Sequence, residues 1–127
     1  MKIKLYSIFV EDQDKALKFY TKTMGFKKKN EIPAGDFKWI TLVSPEGPDD
    51  LELSLEPNNN PAAKAYQEAL FNQGIPITAF ASDDIQKEFE ALKREGVKFT
   101  KEPVMTENPR TAIFNDTCGN LIMMYQV

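Results

Sequence analysis

The stretch IKLYSIFVEDQDKALKFYTKTMGF, residues Ile3 to Phe26, decides the fold. Ile3 to Val10 alternates in the manner of a half-buried strand. Asp12 then offers an N-cap, and Ala16, Leu17, Phe19, Tyr20 and Met24 recur at helical spacing. Gly25 stands where a C′ residue stops such a helix. Farther along, the same order returns. Ile75 to Ser82 is an apolar strand, and Asp83 offers a cap with Gln86 three residues on, a capping-box pattern. Ile85, Phe89 and Leu92 form an apolar stripe that Gly96 ends. Asp12 and Asp83, Gly25 and Gly96, and Leu51-Glu52-Leu53 and Ile122-Met123-Met124 are all 71 residues apart. Self-similarity at one fixed offset signals a duplicated module.

The remaining elements complete each copy. Strands are expected over Phe26 to Ile32, Phe37 to Val43 and Leu51 to Glu56, with turns at Pro33 to Asp36 and Ser44 to Asp50. Asn60 caps a helix with Pro61 at its first position, running through Ala63, Tyr66, Ala69, Leu70 and Phe71 to Gly74. The second copy adds strands over Val97 to Lys101, Arg110 to Phe114 and Leu121 to Tyr125. Glu102 to Pro109 is irregular, with room for a short strand near Val104 and Met105. The pattern is an α+β domain spanning 1–127, built from β-α-β-β-β modules at 1–56 and 75–127 and a helical connector at 57–74.

Composition removes several function classes. A chain of 127 residues suits one domain that needs no disulfide or metal to hold its core. The net charge of −3 argues against a nucleic-acid partner. The one dense basic run, Lys27 to Lys29, reads as a solvated strand edge. No segment approaches the ~20 apolar residues that cross a bilayer, so no membrane partner and a cytoplasmic setting are expected. Cys118 is the only cysteine, reading either as a turn residue or as a thiol activated by a nearby positive end. The chain has no histidine, which excludes Ser-His-Asp and Cys-His catalysis and imidazole-based zinc sites.

Three motifs together resemble the vicinal oxygen chelate (glyoxalase/bleomycin resistance protein/extradiol dioxygenase) superfamily. They are Phe9-Val10-Glu11-Asp12 leading into Ala16 to Tyr20 and Met24-Gly25-Phe26, then Ala81-Ser82-Asp83-Asp84-Ile85, and Asp116-Thr117-Cys118-Gly119-Asn120-Leu121-Ile122. The last is similar to that family's Asp-Pro-x-Gly-Asn-x-Ile turn. The resemblance implies mixed sheets curled around a cavity and, commonly, a homodimer. In metal-dependent members it implies four ligands, typically His, Glu, His and Glu, on the outer strands of each module. The matching positions are Leu5, Glu52, Ile77 and Met123, with Tyr6 and Thr78 as one-residue shifts. Only Glu52 could bind a metal, so no metal or other cofactor is expected. Glu56 shares its face but lies about 13 Å along the strand, too far to share an ion.

Strand alternation sorts the faces. Leu51, Leu53 and Leu55 should pack on the helices, leaving Glu52 and Ser54 opposite. Likewise Ile122 and Met124 take the helix side, leaving Met123 and Tyr125. Ile40, Leu42 and Ile113 read as core, which turns Trp39 and Thr41, with Arg110 and Ala112, toward the concave side. Leu5, Ser7 and Phe9 join them, with Ile77 and Ala79. The candidate site is therefore Glu52 with Trp39, Arg110, Phe9, Ser54, Met123 and Tyr125: apolar and aromatic walls around few polar groups. Glu52 reads either as a functional carboxylate or as a structural one that pairs with Arg110 or faces water at the rim, and Trp39 either as a ligand contact or as part of a dimer interface.

Three functions compete. A metal-free protein could sequester a small aromatic or cationic compound, as bleomycin-resistance-like members do. An enzyme, a lyase or isomerase of the glyoxalase type, could use Glu52 as general base if burial raised its pKa, or as a lone metal ligand. A non-catalytic interaction module could fill the cavity with its own side chains.

Overall fold

The computed structural model describes residues 1–127. Its contacts divide into two compact units, Met1–Ala65 and Tyr66–Val127. The division falls inside the connector helix.

In the first unit, β1 (Leu5–Val10) leads through α1 (Gln13–Lys18) and a π-helical turn (Phe19–Thr23) to β2 (Lys27–Ala34), β3 (Phe37–Val43) and β4 (Glu52–Pro57). The sheet order is β1-β4-β3-β2, with β1 parallel to β4 and the other pairs antiparallel. Asp12 caps α1 as expected, its carboxylate accepting from the Lys15 backbone N–H at 3.0 Å. Gly25 has φ +82°, the left-handed value a helix stop needs and most residues avoid. Alternate residues form the core against α1: Ile8 and Val10, Ile40 and Leu42, and Leu53 and Leu55 are buried with Ala16, Phe19 and Tyr20. Leu51, expected beside Leu53, lies before β4 and is exposed. The β2–β3 turn is tighter than expected. Ala34 pairs with Phe37 around Gly35 and Asp36, and Pro33 sits within β2, an edge strand where a missing N–H costs little.

α2 (Pro61–Asn72) begins with Asn60 Oδ1 accepting the Ala62 N–H at 2.9 Å, the expected cap. In the second unit, β5 (Thr78–Ser82), α3 (Ile85–Arg94), β6 (Phe99–Lys101), β7 (Thr111–Asn115) and β8 (Leu121–Gln126) repeat the order, arranged β5-β8-β7-β6. Ile85, Phe89 and Leu92 are buried with Ala112, Phe114, Ile122 and Met124. Phe89 meets Phe99 edge to face at 4.7 Å.

Three local expectations are corrected. The α3 cap is Asp84, whose carboxylate accepts from Lys87 N at 3.1 Å, so no capping box forms with Gln86. Gln86 donates to Glu90 instead. Val104 and Met105 lie in a loop rather than a strand. That loop is anchored by Lys101, whose ammonium donates to both Glu107 carboxylate oxygens and to the Thr111 carbonyl and hydroxyl, at 2.9 to 3.0 Å.

The turn before β8 is held by Asp116, which is fully buried. Its Oδ1 accepts the backbone N–H groups of Cys118 and Asn120, and its Oδ2 accepts from the Asn120 side chain. Thr117 and Gly119 both take positive φ to close it. From α2, Gln67 donates to the Cys118 carbonyl at 3.2 Å and to Asn120 Oδ1 at 3.0 Å. Cys118 is thus a buried turn residue.

Candidate functional site

On the first unit's sheet, the face turned away from α1 carries three rows of side chains, set by strand register. The central row is polar: Ser7 pairs with Ser54, Ser54 with Thr41, and Thr41 with Asn30. Toward one end lie Leu5 beside Glu52 and Lys27 beside Val43. Toward the other lie Phe9 beside Glu56 and Trp39 beside Ile32. Thr41 and Ser54 are buried, whereas Trp39 is 39% exposed and Leu5, Ile32 and Phe37 are exposed too. Four of the sequence-derived site residues, Phe9, Trp39, Glu52 and Ser54, therefore share one face.

The two glutamates divide the polar row between them. Glu52 accepts from Thr41 Oγ1 at 2.7 Å and Asn30 Nδ2 at 3.1 Å, and pairs with Lys29 Nζ at 3.5 Å. Lys29 is the extra residue of a bulge in β2 between Lys28 and Asn30; it stays exposed, and its ammonium reaches both Glu52 and the Asp49 carbonyl, at 2.9 Å for the latter. The Thr41 hydroxyl, then the charge and hydrogen bond of Lys29 and the Asn30 amide, hold the Glu52 pKa below the ordinary carboxylate range despite desolvation. A general base with a raised pKa was the enzymatic expectation. The geometry moves Glu52 the other way, and its partner cation is Lys29. Glu56 accepts only the Ser54 hydroxyl, at 2.6 Å.

β3 and β4 are wedged apart at the Phe9–Glu56 end. Their paired residues are Thr41 with Ser54 and Leu42 with Leu53. Beyond them the Gln13 side chain enters the gap. Its Nε2 donates to the Lys38 and Leu55 carbonyls at 2.6 and 2.8 Å, and its Oε1 accepts the Lys38 N–H at 3.0 Å. Backbone that a straight ladder would satisfy is satisfied by one amide.

On the second unit's sheet, the face turned away from α3 carries Met123 and Tyr125 as expected, aligned with Ala79 and Ala81 on β5 and with Ile113 and Thr111 on β7. β7 is out of phase with its sequence reading. Ala112 is buried opposite Met124, and Ile113 faces away from α3 beside Met123 and Lys101. Arg110 follows the phase of Ala112. Its carbonyl accepts the Gln126 N–H at 2.9 Å, which places Arg110 on the side of Gln126, with α3, and off the Met123–Tyr125 face. Register also makes Ala79, rather than Ile77, the residue opposite Met123 as Leu5 is opposite Glu52. Sequence reasoning missed Asn30 and Lys29. A bulge inside a lysine run leaves no periodic signal.

The family model described as Glyoxalase/Bleomycin resistance protein/Dioxygenase superfamily matches residues 2–124. The chain belongs to that superfamily. It is 56% identical over 126 residues to the uncharacterized protein YurT of Bacillus subtilis (strain 168), covering 99% of each chain. It is 30% identical over 106 residues to a probable chloroplastic lactoylglutathione lyase of Arabidopsis thaliana, covering 82% of this chain and 29% of that one. Among solved structures, TnmS3, an antibiotic binding protein from Streptomyces sp. CB03234, superposes with a TM-score of 0.76 at 27% identity, covering 99% of this chain and 95% of that one.

The metal site of the family's metal-dependent members does not fit this chain. Leu5, Ala79 and Met123 offer no hard donor, Glu52 is committed to Thr41, Asn30 and Lys29, and no three His, Cys, Asp or Glu side chains come together to hold an ion. No helix is long and apolar enough to cross a membrane.

Proposed function

We propose that the protein is a metal-independent binder that sequesters a small aromatic or cationic compound on the Phe9–Trp39–Glu52 face of its first sheet. The observation that carries this reading is the far face itself: exposed Trp39 and Ile32 beside a buried row of Thr41 and Ser54 and two carboxylates. Apolar walls with a few oriented polar groups are what small-molecule recognition requires. Similarity to an antibiotic binding protein supports the same class of role. Glyoxalase-type turnover is disfavoured because an enediolate oxyanion needs a Lewis acid that these residues are not equipped to hold. The exposed apolar residues Leu5, Ile32 and Phe37 further suit a homodimer, checked by light scattering on the purified chain.

Calorimetric titration with a panel of planar aromatic compounds, charged and neutral, tests the reading. Saturable heat that Trp39→Ala removes is expected. No heat across the panel would dispose of it.

A further inference from the structure

Glu52 and Glu56 differ in one respect that matters for recognition. Glu52 has a neutralising cation and two neutral donors. Glu56 has a single hydroxyl donor, and no cation of its own unit lies against it. The other unit-1 ion pairs spend Lys4 on Asp50, Lys28 on Glu31, and Lys38 on Asp14 and Glu31. The Glu56 carboxylate is half-buried and stands in register with Phe9 on β1. Two residues along the ladder from the Thr41–Ser54 pair, Trp39 takes the facing position on β3, and Ile32 stands beside Trp39 on β2.

We infer that Glu56, rather than Glu52, is the carboxylate that recognises the ligand, and that the ligand is a cationic nitrogen carried on an aromatic ring system. This rests on the small-molecule reading above and assigns its polar contact. A half-buried acid among apolar groups has given up part of its hydration without gaining a counter-ion, so a cation arriving with the ligand supplies what the fold leaves out. The ring stacks on Trp39, whose face also attracts the positive charge. Gln13 contributes by position. With its amide between Lys38 and Leu55, it takes the place of the direct β3–β4 ladder at this row and fixes the two strands that carry Trp39 and Glu56. Glu52 instead ties β4 to β3 and the β2 bulge, a structural duty.

N-methylacridinium and neutral acridine, alike in shape and different in charge, separate the contributions. Binding of each to the full chain is followed by quenching of Trp39, the only tryptophan. The cation is expected to bind more tightly than acridine, and its affinity alone to fall as salt rises. Glu56→Gln, which keeps an acceptor for Ser54, is expected to weaken the cation about tenfold and leave acridine unchanged. Glu52→Gln is expected to change the cation's affinity less than threefold. Equal affinity of the two probes for the wild-type chain, or a tenfold loss in Glu52→Gln with Glu56→Gln unaffected, would overturn the assignment while the binding function stands. Failure of both probes and of the wider aromatic panel would overturn the function as well. Should Glu56→Gln not fold, Glu56→Asp is read in its place: withdrawing the carboxylate by one methylene is expected to weaken the cation and leave acridine unchanged, and an unchanged cation affinity would overturn the assignment.

Discussion

Thr41 Oγ1 donates a 2.7 Å hydrogen bond to Glu52 across the β3–β4 pair, and Asn30 Nδ2 in turn donates to Thr41 at 2.8 Å. The Thr41 hydroxyl is the largest influence holding the Glu52 pKa down. Thr41→Val keeps the shape and removes the donor. The Glu52 carboxyl is then expected to titrate closer to its ordinary value, read from carboxyl-carbon NMR shifts against pH. An unchanged midpoint would mean that Lys29 sets it alone.

Acid should destabilise the fold through a few identifiable carboxylates. Glu31 is held low by hydrogen bonds from Lys28 and Lys38, and Glu107 by Lys101 and Thr111, in the same direction as Glu52. In each case the unfolded chain takes up protons first. Stability therefore rises with pH across the interval between folded and unfolded pKa values, and is lost as pH falls from the ordinary glutamate value of about 4.3 to below it. Urea midpoints measured down that range should fall, and Lys101→Met should flatten the curve.

Adjacent residues of β3 should behave oppositely. Ile40 is fully buried, so Ile40→Ala is expected to cost about 2–5 kcal/mol in urea unfolding. Trp39, although larger, faces away from α1 and is 39% exposed, so Trp39→Ala should cost less than half as much while abolishing probe binding. Comparable losses would place Trp39 in a packed core.

The Asp116 turn predicts a sharper stability effect than its size suggests. Asp116→Ala removes the acceptor of three buried hydrogen bonds at once, from the N–H groups of Cys118 and Asn120 and from the Asn120 side chain, for an expected loss of about 2–4 kcal/mol. Gln67→Leu, removing two donors' worth of contact from α2, should cost about 1–2 kcal/mol. A loss below that in both variants would mean that water replaces the network.

Incubation with nickel, zinc, manganese or iron followed by desalting should leave substoichiometric metal in every case, because Glu52 is the sole suitable donor among the family's ligand positions and is already engaged. Stoichiometric metal that disappears in Glu52→Gln would move catalysis to the front.

The duplicated module was legible in the sequence because its signals are local. Asp12 and Asn60 caps, the stripe of Ile85, Phe89 and Leu92, and Gly25, Gly74 and Gly96 at positive φ each act within a turn or two of chain. The side of β4 carrying Glu52 and Ser54 was legible too, since leucine alternates with polar residues there. β7 was not, because Ala112, Ile113 and Phe114 are all apolar and only pairing with β8 chooses which of them face α3. That choice took Arg110 off the far face. The contrast between Glu52 and Glu56 belongs wholly to tertiary structure. Both are glutamates on one face of one strand, and what separates them is a bulge that brings Lys29 to the first, while the second has only the Ser54 hydroxyl beside a row where Gln13 replaces the β3–β4 ladder. Periodicity encodes which way a side chain points, but its partners come from strands far away in sequence, and only the folded sheet brings them within hydrogen-bonding distance.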